Sequence, residues 1–298
     1  MNETLEQRVA AMLRREVNPA VAAQAGALGE QAGALAVLFY GSNLRTGSLE
    51  GVLDYYALVA GSPEKGLWPR VAYREWDNDS TRLRAKIATM TLAKFVDAAA
   101  GRTIDTTIWA RFVQPSALVW KRDDAAGAAV ASAIADAART AARLAVVLGP
   151  LQGHPDDFWR ALFRATYRAE LRVEPPGRED AILAANRAHF SKLLNLALGS
   201  AGIRYAQEGE TIRPQMLAGE RRGVLRWWRL RRALGKTLNA ARLVRAAGTF
   251  DGAARYAAWK IERHTGVAVD VSPWREKHPV LAAPGVLWQV WRRSKAVR

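Results

Sequence analysis

Leu35-Ala36-Val37-Leu38-Phe39-Tyr40 runs without a charged side chain into Gly41-Ser42-Asn43, and Leu53-Asp54-Tyr55-Tyr56-Ala57-Leu58-Val59 follows after a polar loop that contains glycine. The first run is a compact apolar segment stopped by turn residues, the mark of a buried strand. The second, with Val52 before it, reads as another strand over Val52–Val59, closed by Gly61-Ser62-Pro63. Eleven residues separate Ser42 from Asp54. Glycine in such a turn lets backbone come close to phosphate oxygens. Ser42 and the exposed amides can hydrogen-bond those oxygens. An aspartate on the next strand can hold a Mg²⁺ that bridges them. The same pattern also describes an ordinary hairpin with one polar residue. An unpaired carboxylate in so apolar a strand is costly and calls for a metal or a cation, and on this segment alone both readings stay open.

Around this pair the chain divides into a small sheet and a larger helical part. The spacing of Val9, Met12, Leu13 and Val17 predicts a helix over 3–33. Further strands are predicted at Arg70–Trp76, Arg82–Met90 and Ala117–Trp120, with a helix at Leu92–Ala100. Helices are predicted at Asp123–Leu148, Asp156–Ala169 and Glu179–Leu198, and a loop at Gly199–Pro214. Arg221–Ala247 and Gly252–Thr265 read as basic helices, and Val271–Arg298 is interrupted by Pro273, Pro279 and Pro284. The expected fold is α+β: residues 1–120 hold the mixed sheet and an N-terminal helix, 121–220 form a helical region closing a cleft, and 221–298 form a basic helical tail.

The composition narrows the chemistry. Half of the 298 residues are hydrophobic and about a quarter are charged, as in ordinary globular chains. The absence of cysteine excludes a disulfide scaffold, a thiol nucleophile and cysteine-ligated metals. The four histidines (His154, His189, His264 and His278) are never three or four residues apart, so no histidine metal motif exists. No stretch of about 18 uncharged apolar residues predicts a transmembrane helix, and the N-terminal segment lacks the apolar core of a signal peptide.

Charge is segregated. Residues 1–220 carry 26 Lys/Arg and 24 Asp/Glu, whereas 221–298 carry 18 Lys/Arg and 4 Asp/Glu, with six of the eleven tryptophans. A basic, Trp-rich end on a neutral body suggests an anionic partner. Trp227, Trp228, Trp288, Trp291, Arg292 and Arg293 are the expected membrane contacts, since indole rings suit the headgroup level and cations meet lipid phosphate. Nucleic acid is the alternative for the same composition.

A strand, a Gly-Ser turn and an acidic strand together resemble the polymerase-β-type nucleotidyltransferases. Most of these carry a second acid two residues after the first; here that position is Tyr56. The order of further segments resembles the mitochondrial-type phosphatidate cytidylyltransferases, the peripheral CDP-diacylglycerol synthases. The matching segments are Lys86-Ile87-Ala88-Thr89-Met90 before the helix Leu92–Ala100, then Trp109-Ala110-Arg111-Phe112-Val113-Gln114-Pro115, then Tyr167-Arg168-Ala169-Glu170-Leu171-Arg172. The likeness covers roughly residues 35–190. Asn43, Ile87-Ala88 and Glu170 depart from the family's pattern.

That resemblance implies a Mg²⁺-dependent reaction of CTP with phosphatidate, giving CDP-diacylglycerol and pyrophosphate. It implies Gly41 and Ser42 at the triphosphate and Asp54 as metal ligand, with Glu170, Asp77 or Asp79 as a second. Lys86, Arg111 and Arg172 would bind phosphates, with Asp54, Lys86 and Arg111 closest to the chemistry. One acid suffices more readily for a phosphate acceptor, which is already anionic near neutral pH, than for an alcohol that must lose a proton. The expected setting is the cytoplasmic face of a bacterial inner membrane, or the mitochondrial matrix side. Two other readings stay open: nucleotidyl transfer to a different phosphorylated or hydroxyl acceptor, and a degenerate transferase fold that only binds membrane or nucleic acid.

Overall fold

The Gly41 turn separates two neighbouring strands of a single five-stranded sheet. A computed structural model of the chain describes residues 3–66, 70–78, 81–170, 177–249 and 252–296. In chain order it contains α1 (Leu5–Leu13), α2 (Pro19–Gln31), β1 (Ala34–Tyr40), α3 (Ser42–Thr46), β2 (Leu53–Val59), β3 (Arg70–Asn78), β4 (Thr81–Thr91), α4 (Leu92–Ala99), α5 (Thr107–Phe112), β5 (Ser116–Lys121), α6 (Asp124–Leu148), α7 (Pro155–Ala169), α8 (Arg178–Ala185), α9 (Arg187–Ser200), β6 (Arg204–Glu208), β7 (Thr211–Gln215), α10 (Ala218–Thr249), α11 (Ala253–Thr265), α12 (Pro273–Lys277) and α13 (Pro279–Ala296). The architecture is mixed α/β.

All five expected strands form, within two residues of the expected ends. Four expectations need correction. Pro284, expected to interrupt the chain, lies inside α13 and does not break it. The helix expected over 3–33 is two helices, because Asn18-Pro19 starts a new one: Asn18 Oδ1 accepts from Ala20 N at 2.9 Å, and Pro19 occupies the first turn. The helix expected over 179–198 breaks at Asn186, which ends α8 and begins α9. The expected loop at 199–214 contains the β6–β7 hairpin, turned by Gly209 at φ +59°. Its strands are largely solvent-facing and polar, so they lack the apolar alternation that reveals a half-buried strand.

The sheet has the order β3-β4-β2-β1-β5. β1 pairs antiparallel with β2 and β5, β2 pairs parallel with β4, and β3 pairs antiparallel with β4. Side chains alternate between two cores. Leu53, Tyr55 and Ala57 join Val37 and Phe39 beneath α2, while Tyr56 and Leu58 join Ala36 and Leu38 in a larger core with α4, α5, α6, α7 and α9. That larger core extends from Leu5 to Trp228 and includes Trp109 and Trp159, both fully buried. Among the described residues no helix is long and apolar enough to cross a membrane.

Candidate functional site

Register aligns a polar row across the helix-facing side of the sheet. Tyr40 pairs with Asp54, Asp54 with Lys86, and Lys86 with Tyr73, while Ser116 flanks Tyr40 on the far side. Asp54 lies two residues before Tyr56 on the same face. The row is therefore the last layer before the core, at the end of the sheet where β1 gives way to Gly41.

Gly41 has φ +92° and ψ −162°, a conformation open essentially to glycine alone. A Cβ placed there would stand 3.1 Å from Asp54 Oδ2. The bare backbone thus brings the turn up to the carboxylate. Asn43, one of the departures from the family pattern, holds the loop: its Nδ2 donates to Ser48 O at 2.8 Å and to Glu50 O at 2.7 Å, and the side chain is buried. Ser42 stays exposed beside it.

Arg111 reaches the row from α5. Its Nη1 donates to Tyr40 Oη at 2.7 Å, and the guanidinium lies 5.0 Å from the Tyr40 ring centre and 6.0 Å from that of Tyr56. Burial raises the Asp54 pKa, and the charges of Lys86 and Arg111 pull it back. Among the described residues no hydrogen bond or ion pair engages the Asp54 carboxylate. It faces a cavity of about 340 Å³.

That cavity gathers Gly41, Ser42, Asp54, Lys86 and Arg111, five residues expected from sequence to act together. Sequence reasoning missed others on its walls: Tyr40, Arg15 from the α1–α2 connection, Arg45 from α3, Arg178 from α8 and Tyr256 from α11. Tyr40 adjoins the Gly-Ser turn and was within reach of the pattern. The three arginines are far apart in sequence and carry no local signal. Among the described residues on its walls, five cations and one carboxylate make this an anion-attracting pocket. A low-dielectric wall behind it strengthens each charge–charge term.

Neither Glu170 nor Asp77 assembles with Asp54. Glu170 caps the end of α7, is buried, and accepts from Thr106 Oγ1 at 2.8 Å rather than lining the cavity. Asp77 pairs with Arg82 at 3.1 Å on exposed strand ends. Asp79 and Arg172 lie outside the described residues. Among the described residues no group of three or more acidic or histidine side chains converges. Position 56 is closed to a carboxylate by packing: Tyr56 is buried, with Tyr40 and Phe112 rings at 5.7 and 5.3 Å.

The basic end separates into two roles. Trp228, expected at a membrane, is buried in the larger core at 3% exposure. Trp227 is half-buried: its Nε1 donates to Gly101 O at 3.0 Å, its ring lies 5.8 Å from Trp109, and the Arg231 guanidinium stacks 3.8 Å over it. Val224, Trp227, Trp228 and Arg231 recur at helical spacing on the inner face of α10, while Arg222, Arg226 and Arg229 face outward. Periodicity thus sends these tryptophans to the core and the arginines to solvent. Arg231 is itself buried, its Nη2 donating to Gly101 O and Thr103 O at 2.8 and 2.6 Å. Further along, Arg242 pairs with buried Asp105 at 2.6 Å. α10 therefore clasps the 101–107 segment from which α5 and Arg111 emerge. In α13, Trp288 is exposed with Arg292 at 4.7 Å from its ring centre. The side chains of Trp291 and Arg293 lie outside the described residues.

Compared with known proteins, the sequence matches no protein-family model and no curated relative.

Proposed function

We propose that the protein is a Mg²⁺-dependent nucleotidyltransferase on the polymerase-β plan, with CTP as donor and phosphatidate as acceptor, working at an anionic membrane surface. The observation that carries this reading is the register that aligns Tyr40, Asp54 and Lys86 under a glycine turn, at a cavity whose described lining residues include five cations and one carboxylate. A triphosphate is the common ligand whose charge, size and need for close backbone approach match that set. Mg²⁺ is held by one or two carboxylates together with substrate phosphates. Asp54 would hold it with the triphosphate oxygens, and the ion would neutralise charge at the reacting phosphate.

The remaining work falls to the chain's own side chains. Gly41 admits the phosphates without a side chain in the way, and the Ser42 hydroxyl donates to them. Lys86 and Arg111 stabilise charge on the phosphoryl oxygens. Tyr40 fixes the guanidinium of Arg111 through the 2.7 Å hydrogen bond. An oxygen of the acceptor phosphate attacks the α-phosphorus in line, and the bond from that phosphorus to its bridging oxygen breaks. The bond's electron pair leaves with pyrophosphate. The attacking oxygen is already anionic, so no side chain needs to take a proton. Catalysis is then positioning and charge neutralisation, which a single carboxylate can serve. Exposed Trp274, Leu281 and Trp288 supply the apolar side of the membrane contact.

Pyrophosphate release tests the reading. Protein with Mg²⁺ receives each nucleoside triphosphate in turn, with vesicles that contain or lack phosphatidate. Release confined to CTP with phosphatidate, and lost in Asp54→Asn, is the expected result. Release with another acceptor would keep the transfer and discard the lipid. No release from folded protein under any combination would leave a binding module.

A further inference from the structure

One residue of the cavity wall comes from the far end of the chain. Tyr256, on α11, lines the cavity. Its ring lies 5.4 Å from Tyr73, the β3 member of the polar row, and 6.2 Å from Trp259 one turn on. The contact is closely fitted: Gly252 has φ +80°, and a Cβ there would come within 2.7 Å of Tyr73 O. Trp259 sits between two guanidinium groups, 5.8 Å from Arg84 of β4 and 5.3 Å from Arg263 of its own helix. α11 also packs on the edge strand β3 and on α12 and α13. The Tyr256–Tyr73 contact between α11 and the sheet therefore lies at the cavity.

We infer that α11 is part of the ligand site and not merely of a basic tail: the Tyr256 hydroxyl donates a hydrogen bond to a polyphosphate ligand held by Lys86, Arg111 and the Gly41 turn, so that ligand binding and the seating of α11 on β3 stabilise each other. This rests on the reading that the cavity takes a polyphosphate. A phenol within reach of an anion is a donor with no competing acceptor charge of its own, and burial together with the Asp54 charge raises the Tyr256 pKa, so the proton stays on the oxygen. A ligand that bridges two elements adds its binding free energy to their association. Because α12 and α13 pack on α11, the segment that exposes Trp274, Leu281 and Trp288 is also the one held by the ligand.

Hydrogen exchange on the full chain tests this, with Mg²⁺ and inorganic tripolyphosphate as the probe. The ligand should slow exchange in residues 252–265 by roughly tenfold or more at saturation, and also slow residues 41–46. In Tyr256→Phe the protection of 252–265 should disappear while that of 41–46 remains. Protection of 41–46 alone in the unaltered protein would overturn the inference and leave the polyphosphate site standing. Equal protection of 252–265 in Tyr256→Phe would overturn the role of the hydroxyl. Protection of neither segment would overturn the polyphosphate reading, and this inference with it.

Discussion

Arg111 Nη1 and Tyr40 Oη are 2.7 Å apart, and this hydrogen bond ties α5 to the end of β1 beside the cavity. Tyr40 is 8% exposed, so its hydroxyl is a partly dehydrated acceptor for a permanent cation. Tyr40→Phe removes the acceptor and keeps the ring. A hydrogen bond to a charged group contributes about 1.5–3 kcal/mol. Chemical denaturation should show a loss of that size, and triphosphate affinity should fall as the guanidinium loses its fixed orientation.

Asp54→Asn should separate stability from activity. Burial raises the pKa of this carboxylate in the folded protein, so its ionised form is disfavoured there. A raised acid pKa stabilises the fold at low pH, and that contribution is lost as pH rises through the folded value. At neutral pH the amide should therefore give a higher Tm than the carboxylate, and the difference should shrink on acidification. Turnover should fall at least about a hundredfold, because charge stabilisation by a bound metal is worth several kcal/mol.

Gly41→Ala should damage both. The position has φ +92°, and strain of this kind costs about 1–3 kcal/mol in a residue other than glycine. The new methyl group would also press on Asp54 Oδ2 from 3.1 Å. A lower Tm together with weakened tripolyphosphate binding, measured by calorimetry, is the expected pair. Unchanged binding would remove the turn from the site.

His189 should set part of the acid stability. Its Nε2 lies 2.8 Å from Val113 O, so that nitrogen carries the proton of the neutral ring. Burial, with help from Arg8 and Arg15, pulls its pKa down to about 4. An unfolded histidine takes its proton near pH 6.5, so the unfolded state binds more protons between those values. Stability should fall as pH drops from about 6.5 to about 4, by about 3 kcal/mol at full extent. In His189→Gln the slope across that window should flatten, as read from denaturation midpoints.

The β1–turn–β2 segment was legible because two independent signals coincide there. An unbroken apolar run needs a two-sided core, and an isolated Asp54 in the next run needs a reason. Lys86 and Arg111 came from the resemblance in segment order to a known family, and both line the cavity that contains Asp54. Arg15, Arg45, Arg178 and Tyr256 were not legible. Each arrives by tertiary packing from a separate element, and nothing local distinguishes it from a solvated side chain. Trp227 and Trp228 were misplaced for a related reason. An Arg/Trp-rich composition says nothing about which residues share a helix face, whereas their spacing with Val224 and Arg231 does. Glu170 reads as an available acid, yet the end of α7 turns it toward Thr106.

Tyr56 also bears on descent. It makes ring contacts with Tyr40 and Phe112, and Phe112 in turn with Phe95. A change to an acid would open a void in that cluster, a loss of about 3–5 kcal/mol for an aromatic side chain and a sizeable part of the stability of many domains. The two-carboxylate and one-carboxylate arrangements are therefore not neighbours in sequence space at this position. Passage between them requires the aromatic cluster to be rebuilt first, so under the proposed function a chain that has filled this position with a ring would be committed to chemistry with one acid.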